Sequence, residues 1–162
     1  IPYMSSKKNI ELFTKMGILS ATEVISRTEI MIENYCKTLK IEARTMCDMA
    51  KTEILPAIYA YSGELAAGVK TKTDIGVSCR SESEILKKLS ASGDDIYDSL
   101  VKLDEATDNM KNFKDNRVLC EYCRDVLLPL MEQLRSAADG AEAYVAEKYR
   151  PYASYGELLY GI

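Results

Sequence analysis

The feature that most constrains this chain is a run of about forty residues whose apolar side chains recur at spacings of three and four. The run begins at Ser20-Ala21-Thr22-Glu23, a capping box in which the serine hydroxyl and the glutamate carboxylate bond free backbone N–H groups. It continues to about Gly63. A helix of this length has to bury its apolar stripe against other helices. The run therefore predicts an all-α fold. Its apolar positions are Ile25, Ile32, Tyr35, Leu39, Met46, Ala50, Ile54, Ala57 and Tyr61.

Two later segments have the same helical periodicity. One follows Ser81-Glu82-Ser83-Glu84, which has the form of a second capping box. The other begins after Lys114 or Asp115 and is expected to stop at Pro151. The stretch 63–80 between the first two segments predicts a helix end and an exposed connection. No segment alternates with period two for long enough to indicate a strand, so we expect an antiparallel up-down-up bundle.

Two prolines lie inside the apolar stretches of the first and third segments, at Pro56 and Pro129. Proline has no N–H and crowds the preceding turn, so each is expected to kink its helix. Short helices are expected at both ends of the chain, with signals at Ser5 or Ser6, Gly17 and Ser154-Tyr155-Gly156-Glu157. The prediction is one helical domain, residues 1–162, with three long, proline-kinked helices and short terminal helices.

Charge and hydropathy exclude several classes of protein. The chain has 21 basic and 25 acidic residues, a net charge of −4 and a pI near 5.0, without the basic stripe that a nucleic-acid binder needs. Its longest strongly apolar run, Ile54 to Tyr61, is far shorter than the roughly 20 residues of a membrane span. The first residues lack the apolar segment of a signal peptide, so a cytoplasmic location is expected.

The residue types available for chemistry are limited. The chain has no histidine, the commonest general base and metal ligand. Cys120-Glu121-Tyr122-Cys123 has C-x-x-C spacing, but an all-cysteine zinc site would need two further thiols. Cys123 falls on the apolar stripe, which favours an interpretation of the cysteines as half-buried hydrophobes in a reducing compartment. The five cysteines are Cys36, Cys47, Cys79, Cys120 and Cys123.

Several charged pairs are interpreted as solvated surface. A di-iron bundle requires Glu-x-x-His on two helices, and no histidine is present to complete it. There is also no Gly-rich phosphate loop, G-x-S-x-G or H-E-x-x-H. No catalytic, cofactor-binding or metal-binding residue is therefore assigned. The pairs are Glu29 with Glu33, Asp94 with Asp98, Lys51 with Glu53, and Lys148 with Arg150.

Two stretches at opposite ends of the chain contain recognisable motifs. The first includes Asn9-Ile10-Glu11-Leu12-Phe13, Met16-Gly17-Ile18-Leu19, Glu33-Asn34-Tyr35-Cys36-Lys37-Thr38 and Ile54-Leu55-Pro56-Ala57. The second includes Tyr122-Cys123-Arg124-Asp125-Val126, Pro129-Leu130-Met131-Glu132, Tyr149-Arg150-Pro151-Tyr152 and Tyr155-Gly156-Glu157-Leu158-Leu159. Together they resemble the C-terminal region of type III glutamine synthetases, the large bacterial form of glutamate–ammonia ligase. The resemblance is weakest between about Gly63 and Asn116.

The resemblance implies a larger parent enzyme. That family activates glutamate with ATP as a γ-glutamyl phosphate, which ammonia attacks while Mg²⁺ or Mn²⁺ neutralises the phosphates. This chemistry belongs to catalytic domains upstream, so no catalytic residue is carried over and the fragment is expected to be catalytically silent and without its own cofactor. The implied partners are its own catalytic domain and neighbouring subunits of a homo-oligomer.

Two hypotheses about the fragment's role remain open at the level of sequence. The apolar tail, Leu158-Leu159-Tyr160-Gly161-Ile162, is a candidate to dock on the catalytic domain or on a neighbouring subunit. The alternative is a stand-alone helical interaction module whose translation begins at Met4. Both hypotheses predict exposed apolar surface, and only the recognised motifs favour the enzyme.

Overall fold

The computed structural model describes residues 2–153 and 155–161, and these contain helices and turns but no β-strand. The all-α prediction is thereby confirmed. Short 3₁₀ turns lie at Pro2–Ser5, Met110–Asn112 and Glu147–Tyr149. Two π turns lie at Ala50–Ile54 and Cys123–Leu127. The α-helices are α1 (Lys7–Lys15), α2 (Ala21–Met49), α3 (Leu55–Asp74), α4 (Arg80–Asn109), α5 (Asn116–Tyr122), α6 (Leu128–Glu142) and α7 (Tyr155–Tyr160).

The two π turns divide the long segments that contain proline. The N–H of Leu55 donates to the carbonyl of Ala50, and that of Leu128 donates to Cys123, in each case five residues back instead of four. A proline follows each of these leucines, and a widened turn relieves the crowding that a proline imposes on the carbonyl four residues before it. The expected three long helices are therefore found as five α-helices, α2 to α6.

Three helix starts agree with the sequence signals. The Ser6 hydroxyl accepts a hydrogen bond from the Asn9 N–H at 3.4 Å, which caps α1. Ser20 and Glu23 form the complete capping box at the start of α2. The Asp115 carboxylate accepts from two backbone N–H groups and caps α5. Each cap depends on residues within one turn, which is why the sequence identifies it.

The predicted end of the first segment at Gly63 is wrong. Helix α3 continues to Asp74, and the chain turns at Gly76, whose φ of +75° is in the left-handed region that favours glycine. A glycine inside a helix costs about 1 kcal/mol relative to alanine, which packing of α3 on α4 outweighs. The supposed exposed connection from residue 63 is therefore mostly helix.

Two other boundaries also differ from the prediction. Helix α4 begins at Arg80 after Cys79, and the Ser83 hydroxyl donates to the Cys79 carbonyl, so the capping box predicted at Ser81 does not form. Helix α6 ends at Glu142, well before Pro151. The cap predicted at Ser154 lies outside the described residues.

Helix α4 packs against both flanking segments and runs opposite to them. Lys51 Nζ lies 2.7 Å from Asp104 near the end of α4, and Lys72 contacts Glu82 near its start. Helix α4 is therefore antiparallel to the segment that contains α2 and α3. The Tyr122 hydroxyl donates to the Ala106 carbonyl at 3.0 Å beside α5. Each fully buried apolar side chain contributes about 1.5–3 kcal/mol to folding. The core between these helices includes Ile32, Ile58, Leu89, Ile96, Leu103 and Leu127.

Candidate interaction site

An open apolar cleft of about 220 Å³ lies between the first π turn and α6. Its lining is mostly apolar, and the charged side chains that also line it are two arginines and two carboxylates, Arg135, Asp139, Glu142 and Arg150. Four of the lining side chains are alanines, two on each wall, at Ala50, Ala57, Ala138 and Ala141. The first wall includes Met46, Met49, Ile54 and Ala57, and the second includes Leu134, Ala138, Ala141 and Val145.

A strap, defined here as residues 147–152, crosses from the end of α6 to α3 and closes one side of the cleft. Lys148 Nζ lies 2.8 Å and 3.0 Å from the two carboxylate oxygens of Glu64, and the Tyr149 hydroxyl donates to the same carboxylate. The rings of Tyr149 and Tyr61 are in contact, with centroids 5.4 Å apart. The strap therefore combines an ion pair, a hydrogen bond and an aromatic contact at one point on α3.

The pKa shifts of the groups involved agree with attachment of the strap to α3. The Lys148 ammonium, followed by the Tyr149 hydroxyl, lowers the pKa of Glu64. The Glu64 carboxylate raises the pKa of Tyr149, which stays protonated and able to donate. Burial, followed by a hydrogen bond to Glu53, raises the pKa of Tyr152 to about 12. The strap is thus held at two carboxylates, Glu64 on α3 and Glu53 in the first π turn.

Helix α7 follows the strap and exposes most of its apolar surface. Leu158, Leu159 and Tyr160, in the predicted apolar tail, are 70–74% exposed. They are three consecutive large side chains, and the helix has only six residues. A surface of this kind is typical of a segment that binds another surface.

Three of the five cysteines are brought together, and two are not. Cys36 on α2 lies close to Cys120 on α5 and to Cys123 in the second π turn. Cys47 lies near Asp104, and Cys79 lies near Thr73. The C-x-x-C pair thus gains one additional thiol, whereas a closed all-cysteine zinc site needs two.

The environment of the thiol cluster favours the protonated form. Burial, followed by the neighbouring thiols, raises the pKa of Cys36 to about 12, and burial also raises the pKa of Cys123. A thiol is nucleophilic and binds metals as the thiolate, so these groups are poorly suited to either role at neutral pH. Within residues 2–153 and 155–161, no group of three or more His, Cys, Asp or Glu side chains is placed to hold a metal ion.

The charged pairs weighed from the sequence lie at different places on the surface. Glu29 is exposed, and Glu33 pairs with Lys37 at 2.5 Å rather than with Glu29. Asp94 and Asp98 are both exposed. Residues from the other two pairs make longer-range contacts, because Lys51 pairs with Asp104 and Lys148 with Glu64.

Sequence reasoning did not find Glu64 or the cleft. Glu64 meets Lys148 across 84 residues of sequence, and no local pattern indicates such a pair. The cleft depends on the relative placement of α6 and the first π turn. Its only signal in the sequence is the alanine content of both walls. In the described part of the chain, no helix combines the length and hydropathy needed to cross a bilayer.

Comparison with known proteins relates the chain to one family. Residues 1–73, from the N-terminus almost to the end of α3, match the model of the glutamine synthetase C-terminal domain. The chain is 35% identical over 164 residues to a glutamine synthetase from Butyrivibrio fibrisolvens, and 31% identical over 164 residues to a type-3 glutamine synthetase from Dictyostelium discoideum. A glutamine synthetase from Bacteroides fragilis is 24% identical over 152 residues.

These alignments cover nearly all of the chain but a small part of each relative. They include 100%, 97% and 88% of this chain, respectively. The chain spans only 23%, 22% and 20% of the corresponding relatives.

Proposed function

Because this chain belongs to the glutamine synthetase family, as its C-terminal domain, we propose that it is a non-catalytic, structural domain of a longer type III enzyme. The parent enzyme makes glutamine from glutamate, ammonia and ATP, and its catalytic domains precede these residues. The observation that carries the proposal is the coverage: the alignment includes 100% of this chain but 23% of the Butyrivibrio relative.

The chemistry of the described residues supports a structural role. The chain has no histidine, and burial keeps the Cys36 and Cys123 thiols protonated. By contrast, the open cleft and the exposed side chains of α7 are surfaces suited to apolar contacts. The domain therefore acts by packing against its own catalytic domain and against neighbouring subunits.

The bundle is suited to bracing because its helices act as three long segments. In the proposed arrangement, α2 and α3 form one segment and α5 and α6 form another, each continuing through its π turn with right-handed helical backbone angles. Helix α4 lies between them in the opposite direction and connects them through the core. At 1.5 Å per residue, α3 alone is roughly 30 Å long, enough to reach across a small domain.

Deletion of residues 152–162 from the longer enzyme tests the assembly role. We expect smaller assemblies by sedimentation velocity and a loss of glutamine formation that follows the loss of assembly. The double variant Met16→Ser/Ile18→Ser is a matched control, because it removes two exposed apolar side chains at the other end of the chain. Unchanged assembly and activity after the deletion would refute the proposal.

The purified 162-residue chain provides the complementary test. Supplied with ATP, Mg²⁺, glutamate and ammonia, it is expected to form no glutamine above the background without protein. Formation of glutamine would overturn the non-catalytic assignment. Reading the coding sequence upstream of Ile1, together with the intact mass of the product, discriminates the stand-alone interaction module. Translation that starts at Met4 would favour that module.

A further inference from the structure

We propose that the residues preceding Ile1 in the longer enzyme cover an apolar face at the N-terminal end of this domain. This face, called the entry face below, consists of Leu12 and Met16 on α1 or at its end, Ile18 in the following turn, and Ile25 at the start of α2. The inference rests on the proposed function and names the surface through which the domain packs on its own catalytic domain. The exposure of these side chains and their position near the start of the chain both support it.

Helix α1 has two apolar sides, of which one is exposed. Ile10 and Phe13 are three residues apart and half-buried, whereas Leu12 and Met16 are four residues apart and exposed. With 3.6 residues in each turn, the exposed pair is rotated about 110° around the helix from the half-buried pair. All of α1 falls within the described residues, and none of its side chains is fully buried. The exposed pair therefore adds little to the domain's own core.

The turn after α1 holds a third exposed apolar side chain in a fixed position. Gly17 has a φ of +66°, in the left-handed region, and ends the helix. The Ile18 N–H donates to the Phe13 carbonyl at 3.1 Å, which fixes the backbone of Ile18 on the last turn of α1. A side chain on a backbone that is already ordered loses less entropy when a partner covers it, so Ile18 is suited to binding.

The exposure of Ile25 indicates that the bundle is open at this end. Ile25 and Ala43 are 18 residues apart, which is five turns of an α-helix, so they lie on the same side of α2. Ala43 is fully buried, whereas Ile25 is 41% exposed. The core-facing side of α2 is therefore covered at Ala43 and only partly covered at Ile25. A further element packed at this end would complete the cover.

The position of the entry face along the chain identifies its occupant. The chain spans 23% of the Butyrivibrio relative and matches a C-terminal domain, so in the proposed enzyme most of the protein precedes Ile1. The Tyr3 carbonyl accepts hydrogen bonds from the Ser6 N–H at 3.0 Å and from the Asn9 side-chain amide at 2.9 Å, which holds the incoming chain on the start of α1.

The preceding residues are thereby attached close to the entry face. Helix α1 has nine residues and is roughly 14 Å long, so the attachment at Tyr3 and the side chain of Met16 are separated by little more than one short helix. A short tether gives its two ends an effective concentration in the millimolar range. The domain that precedes Ile1 therefore meets this face in preference to a separate molecule.

Alkylation of an introduced cysteine measures whether the entry face is covered. Met16→Cys and Ile75→Cys place a thiol at positions that are 65% and 72% exposed, near opposite ends of the segment formed by α2 and α3. In the isolated 162-residue chain, which has its own buried core, both should react with N-ethylmaleimide at similar rates. In the longer enzyme, Met16→Cys should react at least about tenfold more slowly, because its thiol reacts only in the uncovered minority of molecules, and Ile75→Cys should be unchanged. Peptide mapping by mass spectrometry separates the introduced thiol from the five native ones.

Photo-cross-linking identifies what covers the face. A benzophenone amino acid at Lys15, which is exposed on α1 beside Met16, should join to peptides from the residues that precede Ile1. The enzyme is assembled from a mixture of subunits with and without nitrogen-15. Joined peptides should carry one isotope in both halves, because the contact lies within one chain.

Removal of apolar side chains tests whether they hold the contact. In the longer enzyme with Met16→Cys, the added substitutions Leu12→Ser/Ile25→Ser should restore fast alkylation. Ile41→Ser is the matched control, because Ile41 is exposed on the side of α2 opposite to its buried residues, and it should leave the protection intact. Circular dichroism of the isolated chain verifies that each variant is folded. If Ile25→Ser unfolds the chain, Leu12→Ser alone replaces the pair.

The outcomes separate this inference from the proposed function. Fast alkylation of Met16→Cys in the longer enzyme, or equal slowing of Ile75→Cys, overturns the covered entry face, and cross-links between two subunits overturn its occupant. In each case, deletion of residues 152–162 still tests the assembly role. If that deletion has no effect but the preceding residues cover the face, the assembly role fails while the contact stands.

The assembly control Met16→Ser/Ile18→Ser removes two members of the entry face. A contact within one chain does not join subunits, so this variant should keep its number of subunits while the face becomes uncovered.

Discussion

The two π turns have the same backbone arrangement but different surroundings. In both, a leucine that precedes a proline donates its N–H to the carbonyl five residues back. The second turn is packed, with Cys123 and Leu127 fully buried in the core. The first turn is packed only in part, because Ala50 is buried whereas the half-buried Ile54 borders the open cleft. A Leu-Pro pair in a helix thus specifies where the backbone widens, and the neighbouring elements determine whether the widened turn closes a core or borders a cleft.

This difference assigns the two turns different roles. The second turn contributes Cys123 and Leu127 to the core, where they share one cluster with Cys36 of α2. The first turn supplies one wall of a surface that remains available, and Tyr152 of the strap bonds its Glu53. We therefore expect mutations at the second turn to change folding stability, and mutations at the first turn to change association.

The largest expected effect is loss of a buried side chain at the second turn. Leu127→Ala leaves a cavity in a closed core and should lower the free energy of unfolding by about 2–5 kcal/mol. Ile54→Ala at the half-buried edge of the cleft should cost less than about 2 kcal/mol, because solvent already reaches that site. Urea unfolding followed by circular dichroism measures both. Equal losses would contradict the distinction between the two turns.

Larger side chains at the two turns should also differ in their effect on folding stability, by less than the truncations do. Cys123→Leu overpacks the second turn and should destabilise the fold by about 1–3 kcal/mol. Ala57→Leu, on α3 three residues after the first turn, extends into the open cleft and should change stability by less than about 0.5 kcal/mol. Urea unfolding measures both changes. An unchanged dependence of unfolding free energy on urea concentration verifies that both variants expose the same surface on unfolding. A large loss for Ala57→Leu would show that the cleft beside the first turn is closed in solution.

The thiol cluster at the second turn predicts a loss of stability in alkali. The pKa of Cys36 is raised from 9.0 to about 12, so the folded chain retains a proton that the unfolded chain releases. Stability from this group is therefore complete below pH 9 and falls as pH rises toward 12. Cys36→Ala should flatten this fall in unfolding free energy, whereas Cys79→Ala, outside the cluster, should leave it unchanged. Identical pH slopes for all three proteins would exclude the linkage.

The smallest expected effects concern glycines in the helices that follow the two turns. Gly63 in α3 and Gly140 in α6 have open space where a Cβ would lie. Replacement by alanine should stabilise the chain by roughly 0.5–1 kcal/mol for Gly63, and by less for Gly140 because it lies near the end of its helix. Thermal unfolding measures the shift. Destabilisation at Gly63 would mean that the helix bends there in solution.

The helical class and the helix starts were predictable from sequence because they depend on short-range patterns. The capping box at Ser20 and the cap at Asp115 each involve residues within three positions. The end of α3 was not predictable from local sequence. Packing of α3 against α4 outweighs the tendency of Gly63 to end a helix. Local sequence signals therefore predicted the first residues of helices better than the last ones, which depend on packing.

The candidate site was less predictable than the fold. The apolar tail was identified because Leu158 and Leu159 lie consecutively in a segment too short to form a core element. The cleft and the strap were not, because Glu64 and Lys148 are 84 residues apart. The encounter of Cys36 with the C-x-x-C pair was likewise hidden by its sequence separation from Cys123. Contacts of this length depend on the register of packed helices.

The strap also determines how the domain carries mechanical load. A partner that pulls on α7 pulls on residues 147–152, whose anchors are Glu64 and Glu53. The force therefore passes sideways into the middle of α3 before it reaches the end of α6. Because Glu64 bonds both Lys148 and Tyr149, these two contacts share the load. The exposed ion pair is screened by salt, so the tether should yield at lower force as ionic strength rises.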